Sequence, residues 1–165
     1  MKKWLYWLPA FVWMGVIFYS SSTPYQKQDI KPFLSDYLDL TFLIPFVDWI
    51  SFTYHDSPMS VEDVGIYTFV EFFLRKGAHV TVFLILMLTF YYGLSKTWQK
   101  STLFLIAVSF SATALYAVLD EVHQGITPNR TPYIGDVGLD CVDALLGVLI
   151  VWSYTVIQRR RGLIR

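Results

Sequence analysis

Four apolar stretches, Trp4 to Ser20, Gly77 to Leu94, Thr102 to Leu119 and Val137 to Ile157, divide the chain so that all thirteen acidic residues fall on one side of a membrane or just inside that surface. Each stretch is within the roughly 17 to 25 residues needed to cross a hydrocarbon core. The expected fold is therefore all-α: a polytopic bundle of four transmembrane helices with a polar face on one side, forming a single domain over residues 1–165. A composition that is 55% hydrophobic and 18% aromatic suits a chain whose solvent is mostly lipid.

The bases give the orientation. Lys2 and Lys3 precede the first stretch, Lys96 and Lys100 lie in the second connection, and Arg159, Arg160, Arg161 and Arg165 follow the last. An even number of crossings puts these segments together, and the positive-inside bias makes that side the cytoplasm for both termini. Lys27, Lys31, Arg75, Lys76 and Arg130 stay on the outer side, outnumbered by acids, so the zero net charge conceals a transverse asymmetry. The basic N-terminus resembles a signal peptide, but Phe18-Tyr19-Ser20-Ser21-Ser22 is a poor small-residue exit site, and the segment reads as a retained first span. No basic stripe suggests a nucleic-acid partner. Cys141, the single cysteine, rules out an intramolecular disulfide and reads as small apolar packing.

Within the first outer loop, Thr41 to Tyr54 is apolar but too short to cross and contains Pro45 and Asp48, which predicts a re-entrant or interfacial element. Ser60-Val61-Glu62-Asp63 reads as a helix start with Ser60 as N-cap. Continued unbroken to Leu94, that helix would be about 50 Å long, more than the hydrocarbon thickness.

Three polar clusters mark the outer helix ends. Glu71, Arg75 and His79 recur every four residues on one face, with Lys76 beside them, and Glu N-terminal to Arg is the favourable order for an ion pair. Snorkelling at the lipid boundary is the plainer account of the two bases. The third stretch ends abruptly in Asp120-Glu121-Val122-His123-Gln124, where Asp120, His123 and Gln124 share a face and Glu121 points about 100° away. A polar helix terminus would account for these residues, but acids at a helix C-terminus oppose the macrodipole. The third cluster is Arg130 in a Pro-flanked turn, followed by Asp136, Asp140 and Asp143 on one helical face. Helix-start stabilisation explains Asp136 more easily than Asp143, and three like charges so close need a cation or a shifted pKa. The bases of helix two and Arg130 are the complement on that side, which predicts that the clusters converge into one outward-facing pocket.

In these residues the chain resembles the VanZ-like family of bacterial membrane proteins. The likeness is carried by Arg75-Lys76-Gly77-Ala78-His79, Asp120-Glu121-Val122-His123-Gln124, Pro128-Asn129-Arg130 and Asp136-Val137-Gly138-Leu139-Asp140, with the Phe18 to Pro24 exit from the first stretch. It covers essentially the whole chain. The family often has Glu and Tyr where Val82 and Phe83 stand, and Asn and Gly where Asp140 and Asp143 stand, so acids are shifted from the second helix to the fourth. The resemblance implies a bacterial plasma-membrane protein of the cell envelope, whose founding relative is associated with low-level resistance to teicoplanin, and it supplies no reaction, metal or cofactor.

Two functions follow as expectations. In one, the outer pocket binds membrane lipid together with a lipid-linked envelope precursor or lipoglycopeptide through Arg75, Lys76, His123, Gln124, Arg130, Asp136 and Asp140. In the other, Asp120, Glu121 and His79 are catalytic groups, and Asp120, Glu121 and Asp136 act as acid, base or metal ligands, on a lipid-linked phosphate held by Arg75, Lys76 and Arg130. No nucleophile motif, HExxH or Cys/His zinc pattern occurs. A transporter is disfavoured by four crossings and a one-sided polar distribution.

Overall fold

A computed structural model describes residues 2–24, 29–54, 56–128 and 132–162, with only the backbone of His79. The chain is mostly helical and falls into two compact units, Tyr25–Ala78 and the remainder, Met1–Pro24 with His79–Arg165.

In the larger unit a 3-10 segment, Lys3–Trp7, leads into α1, Leu8–Ser21, with Pro9 in the first turn, where its missing N–H costs nothing. Helix α5, Ile66–Thr97, enters from the smaller unit, and α6, Thr102–Ile126, and α7, Ile134–Arg160, follow. Ser101 caps α6 by accepting from the Phe104 N–H. Both α5 and α6 are long and apolar enough to cross a membrane.

Burial joins these helices in two clusters. Ala10, Ile17, Phe83, Leu86, Phe90 and Ala117 pack α1, α5 and α6, while Met87, Ile106, Ala144 and Val151 pack α5, α6 and α7. Polar groups inside are satisfied locally: Ser109, Thr113 and Thr155 donate to the carbonyl four residues back. Two long-range bonds fix α1, from Trp13 Nε1 to the Val82 carbonyl at 2.8 Å and from the Tyr116 hydroxyl to the Met14 carbonyl at 2.7 Å. Gly147 lets α7 approach α5, since a Cβ there would lie 3.0 Å from Met87 Sδ. Outward residues such as Leu103, Leu115, Leu119, Val122 and Leu149 are large, apolar and exposed, which water penalises and lipid does not.

The smaller unit departs from the all-α expectation. Helix α2, Lys31–Tyr37, is followed by a 3-10 turn, Thr41–Leu43, the short α3, Ile44–Val47, and then an antiparallel hairpin of β1, Ser51–Tyr54, and β2, Ser57–Ser60. Ser51 pairs with Ser60 and Tyr54 with Ser57. The turn uses Asp56 at φ 58°, a conformation that a short polar side chain tolerates. Thr41 to Tyr54 is thus a 3-10 turn, a short helix and one strand. Ser60 caps α4, Val61–Val64, by accepting from the Asp63 N–H, as its position implies. The helix does not run on, however: Gly65, at φ +77°, breaks it before α5 begins. Its 32 residues still make α5 about 48 Å long. Leu34, Leu40 and Ile66 form the core of the unit, packed by Leu43, Ile44, Val47, Val61, Tyr67 and Val70.

Candidate functional site

In the larger unit the chain reverses between α6 and α7 and sets carboxylates from both helices near one another. Asp120, Glu121, Asp140 and Asp143 are buried, and Asp136 is half-buried. Asp120 accepts a 2.8 Å bond from Gln124 Nε2, one turn on. Glu121 accepts from the backbone N–H of Tyr133, the residue that caps α7 and has no side-chain cap of its own. The Glu121 carboxylate lies within electrostatic reach of Asp136, Asp140 and Asp120, around the junction of α6 and α7.

Two details differ. Glu121, which the helical wheel sets apart from the Asp120 face, is the residue that links α6 to α7, because the returning chain presents an amide to it. His123 turns toward α1: its ring stacks on Phe18 with centroids 4.3 Å apart and planes at 5°, and Nε2 lies 3.5 Å from Ser22 Oγ. Thr127 secures the same junction by donating to the Ser21 carbonyl at 3.2 Å. Phe18 and Ser22 belong to the exit from the first stretch that resembles the family, but their contacts, like that of Tyr133, join residues far apart in the chain and have no local signal.

The α5 bases Arg75 and Lys76 are engaged within the smaller unit. Arg75 Nη2 donates to Glu71 Oε1 at 2.8 Å, and Lys31 Nζ is 3.9 Å from the other oxygen. Glu71 is only 2% exposed, so the expected i,i+4 pair is a buried anchor and not a surface ornament. Lys76 Nζ donates to the Tyr54 hydroxyl at 2.6 Å and sits over that ring, 4.6 Å from its centroid. This is more specific than snorkelling, and it depends on the hairpin. Nearby, the Thr41 hydroxyl and then its backbone N–H hold the Asp39 carboxyl below the ordinary aspartate range. Arg130 and the His79 side chain lie outside the described residues.

What the cluster can do chemically is accept hydrogen bonds and hold positive charge. Among the described residues no three His, Cys, Asp or Glu side chains form a metal-binding group. The chain is mostly helical, two of its helices are long and apolar enough to cross a membrane, and buried carboxylates lie where α6 gives way to α7. The sequence matches the VanZ/LLP1 family over residues 6–157, nearly its whole length, and the chain belongs to that family. Neither curated proteins nor solved structures show a match.

Proposed function

We propose that this VanZ-like protein is a four-span protein of the bacterial plasma membrane, with both termini cytoplasmic. Its α6–α7 carboxylate cluster faces outward and binds a lipid-linked or glycopeptide-type envelope ligand, so altering tolerance to teicoplanin-type antibiotics. The 3-10 segment and α1 together extend about 31 Å, enough for a crossing. Helix α7, at about 40 Å, is longer still. The observation that carries the ligand reading is the burial of Asp120, Glu121, Asp140 and Asp143 at one junction of a unit whose outer surface is apolar. Carboxylates only accept, and in a low-dielectric setting they select partners bearing ammonium, amide N–H or hydroxyl groups. Glycopeptides and amino-sugar or peptide-bearing lipid precursors carry such donors.

Teicoplanin susceptibility of cells expressing wild type, Asp120→Asn and Asp140→Asn at equal membrane abundance tests the reading. Loss of tolerance in both variants is expected, and unchanged tolerance in both refutes it. A second reading is favoured by one observation: Asp120, Glu121 and Asp140 are buried carboxylates at one helix junction, and acid–base chemistry needs such groups in pairs. In that case purified protein would turn over a lipid-linked phosphate, and Asp120→Asn would abolish the turnover. Equal signal from both proteins would remove the enzyme reading.

A further inference from the structure

Residues 29–50 of the smaller unit leave every one of their aromatic rings outside its core. Leu34, Leu40, Leu43, Ile44 and Val47 turn inward to the core, while all five aromatic rings between residues 29 and 50, those of Phe33, Tyr37, Phe42, Phe46 and Trp49, are exposed. Trp49 is 78% exposed, yet its indole N–H is already spent on the Phe46 carbonyl at 2.8 Å, so the ring can leave water without losing a hydrogen bond. The Phe33 and Tyr37 rings lie beside each other, with centroids 5.0 Å apart. A water-facing surface on so small a unit would not carry this many rings, whereas the membrane interface favours them.

We propose that α2 and the 3-10/α3 segment form an interfacial foot, and that its exposed rings are embedded in the headgroup and upper acyl region of the bilayer that the chain itself crosses. The inference rests on the membrane reading above. The occupant is lipid because the unit carries the first turns of a helix fit to cross a membrane: α5 begins here, where the Tyr67 hydroxyl donates to the Leu38 carbonyl and Phe52 and Tyr54 pack on Phe72. Phe73 and Leu74, on this part of α5, are exposed as well. Attachment is apolar and not electrostatic, since residues 29–64 include seven acids and one base. Anionic lipid therefore adds nothing to it.

The test is nitroxide labelling of full-length protein reconstituted in phosphatidylcholine vesicles, with Cys141→Ser as background and Phe42→Cys, Phe46→Cys or Trp49→Cys as label sites. Leu115→Cys on the exposed face of α6 is the lipid reference, and Glu62→Cys is the aqueous one. The ratio of collisions with oxygen to collisions with a water-soluble nickel chelate is expected to rise several-fold above that at Glu62→Cys and to approach that at Leu115→Cys. Adding phosphatidylglycerol should leave it unchanged. Ring sites that match Glu62→Cys, with Leu115→Cys in lipid, would overturn the foot and leave the membrane reading standing. A Leu115→Cys site in water would overturn both. Sites shielded from both reagents would show protein, such as a second copy, covering the rings, and an insertion that requires phosphatidylglycerol would overturn the apolar mode; either result ends the proposal.

Discussion

The bond from the Tyr133 N–H to the Glu121 carboxylate permits structure and function to be separated with two substitutions at one position. Glu121→Ala removes the acceptor and leaves an amide at the start of α7 with only its weaker alternatives. Hydrogen bonds to charged groups contribute about 1.5–3 kcal/mol, so a loss of roughly 2 kcal/mol is expected. For a chain of this length that is a fall in melting temperature on the order of 4–8 °C. Glu121→Gln keeps an acceptor oxygen in nearly the same place and relieves repulsion from Asp136, Asp140 and Asp120, so its stability should stay within about 1 kcal/mol of wild type. Both variants should lose antibiotic tolerance if the negative charge is what a ligand recognises. Thermal unfolding in detergent and teicoplanin susceptibility at matched abundance supply the two readings. If Glu121→Gln melts as early as Glu121→Ala, the charge is structural and the argument from hydrogen-bond replacement is wrong. If Glu121→Gln is stable and retains full tolerance, its charge is not part of ligand recognition.

Other outcomes follow from individual positions. Gly147→Ala places a methyl 3.2 Å from the Met87 Cβ, an overpacking cost that should outweigh the gain in helix propensity and leave a net loss of about 1 kcal/mol. Gly138→Ala has nothing within 4 Å and should instead stabilise by about 0.5–1 kcal/mol; opposite signs in detergent melts check the pair. With Cys141→Ser as background, an impermeant thiol reagent applied outside intact cells should label Asp56→Cys and spare Lys100→Cys, and the reverse pattern would invert the proposed orientation. The lowered carboxyl value of Asp39 means that its bonds to Thr41 stabilise the folded chain above the ordinary aspartate value and lose that effect as pH falls through the lowered one. An NMR titration should show the Asp39 value rising in Thr41→Val, which removes the hydroxyl and keeps the backbone donor.

The helices were legible because apolar runs and caps are local signals. Ser60, with Asp63 three residues on, announces the start of α4, and the apolar runs locate α5, α6 and α7, the three longest elements, although α5 begins at Ile66, well before its run. The break at Gly65 was hidden because the apolar pattern passes through it, and only the backbone angle reveals that the chain turns there. The hairpin was hidden for a different reason. Its strands are four residues each, and its turn places Asp56 rather than glycine in the left-handed region, so Phe52 and Tyr54 read as part of one apolar segment. With the hairpin went the Tyr54 partner of Lys76. Within the site, spacing groups Asp136, Asp140 and Asp143 on α7, but it could not show that Glu121 would come within electrostatic reach of Asp136 and Asp140, because that depends on the connection between two helices and not on a helical wheel.

That connection also settles which acids require a functional account. Asp120 and Glu121 stand before the last turn of α6, outside the reach of its macrodipole. Glu121 is accounted for by the Tyr133 N–H, from which it accepts at the N-cap, the positive end, of α7. Asp136, in the first turn of α7, benefits from the same end. The effect falls off within one turn, however, and Asp140 and Asp143 lie beyond it, both buried. Neither capping nor the macrodipole explains them. If they serve only the fold, Asp140→Asn with Asp143→Asn should lower the melting temperature and spare tolerance in protein that still folds. If they hold a cationic or donor-rich ligand, the double variant should melt at or above wild type, because two crowded buried charges are gone, while losing tolerance. The second outcome is expected, and the first would return the α7 acids to the fold.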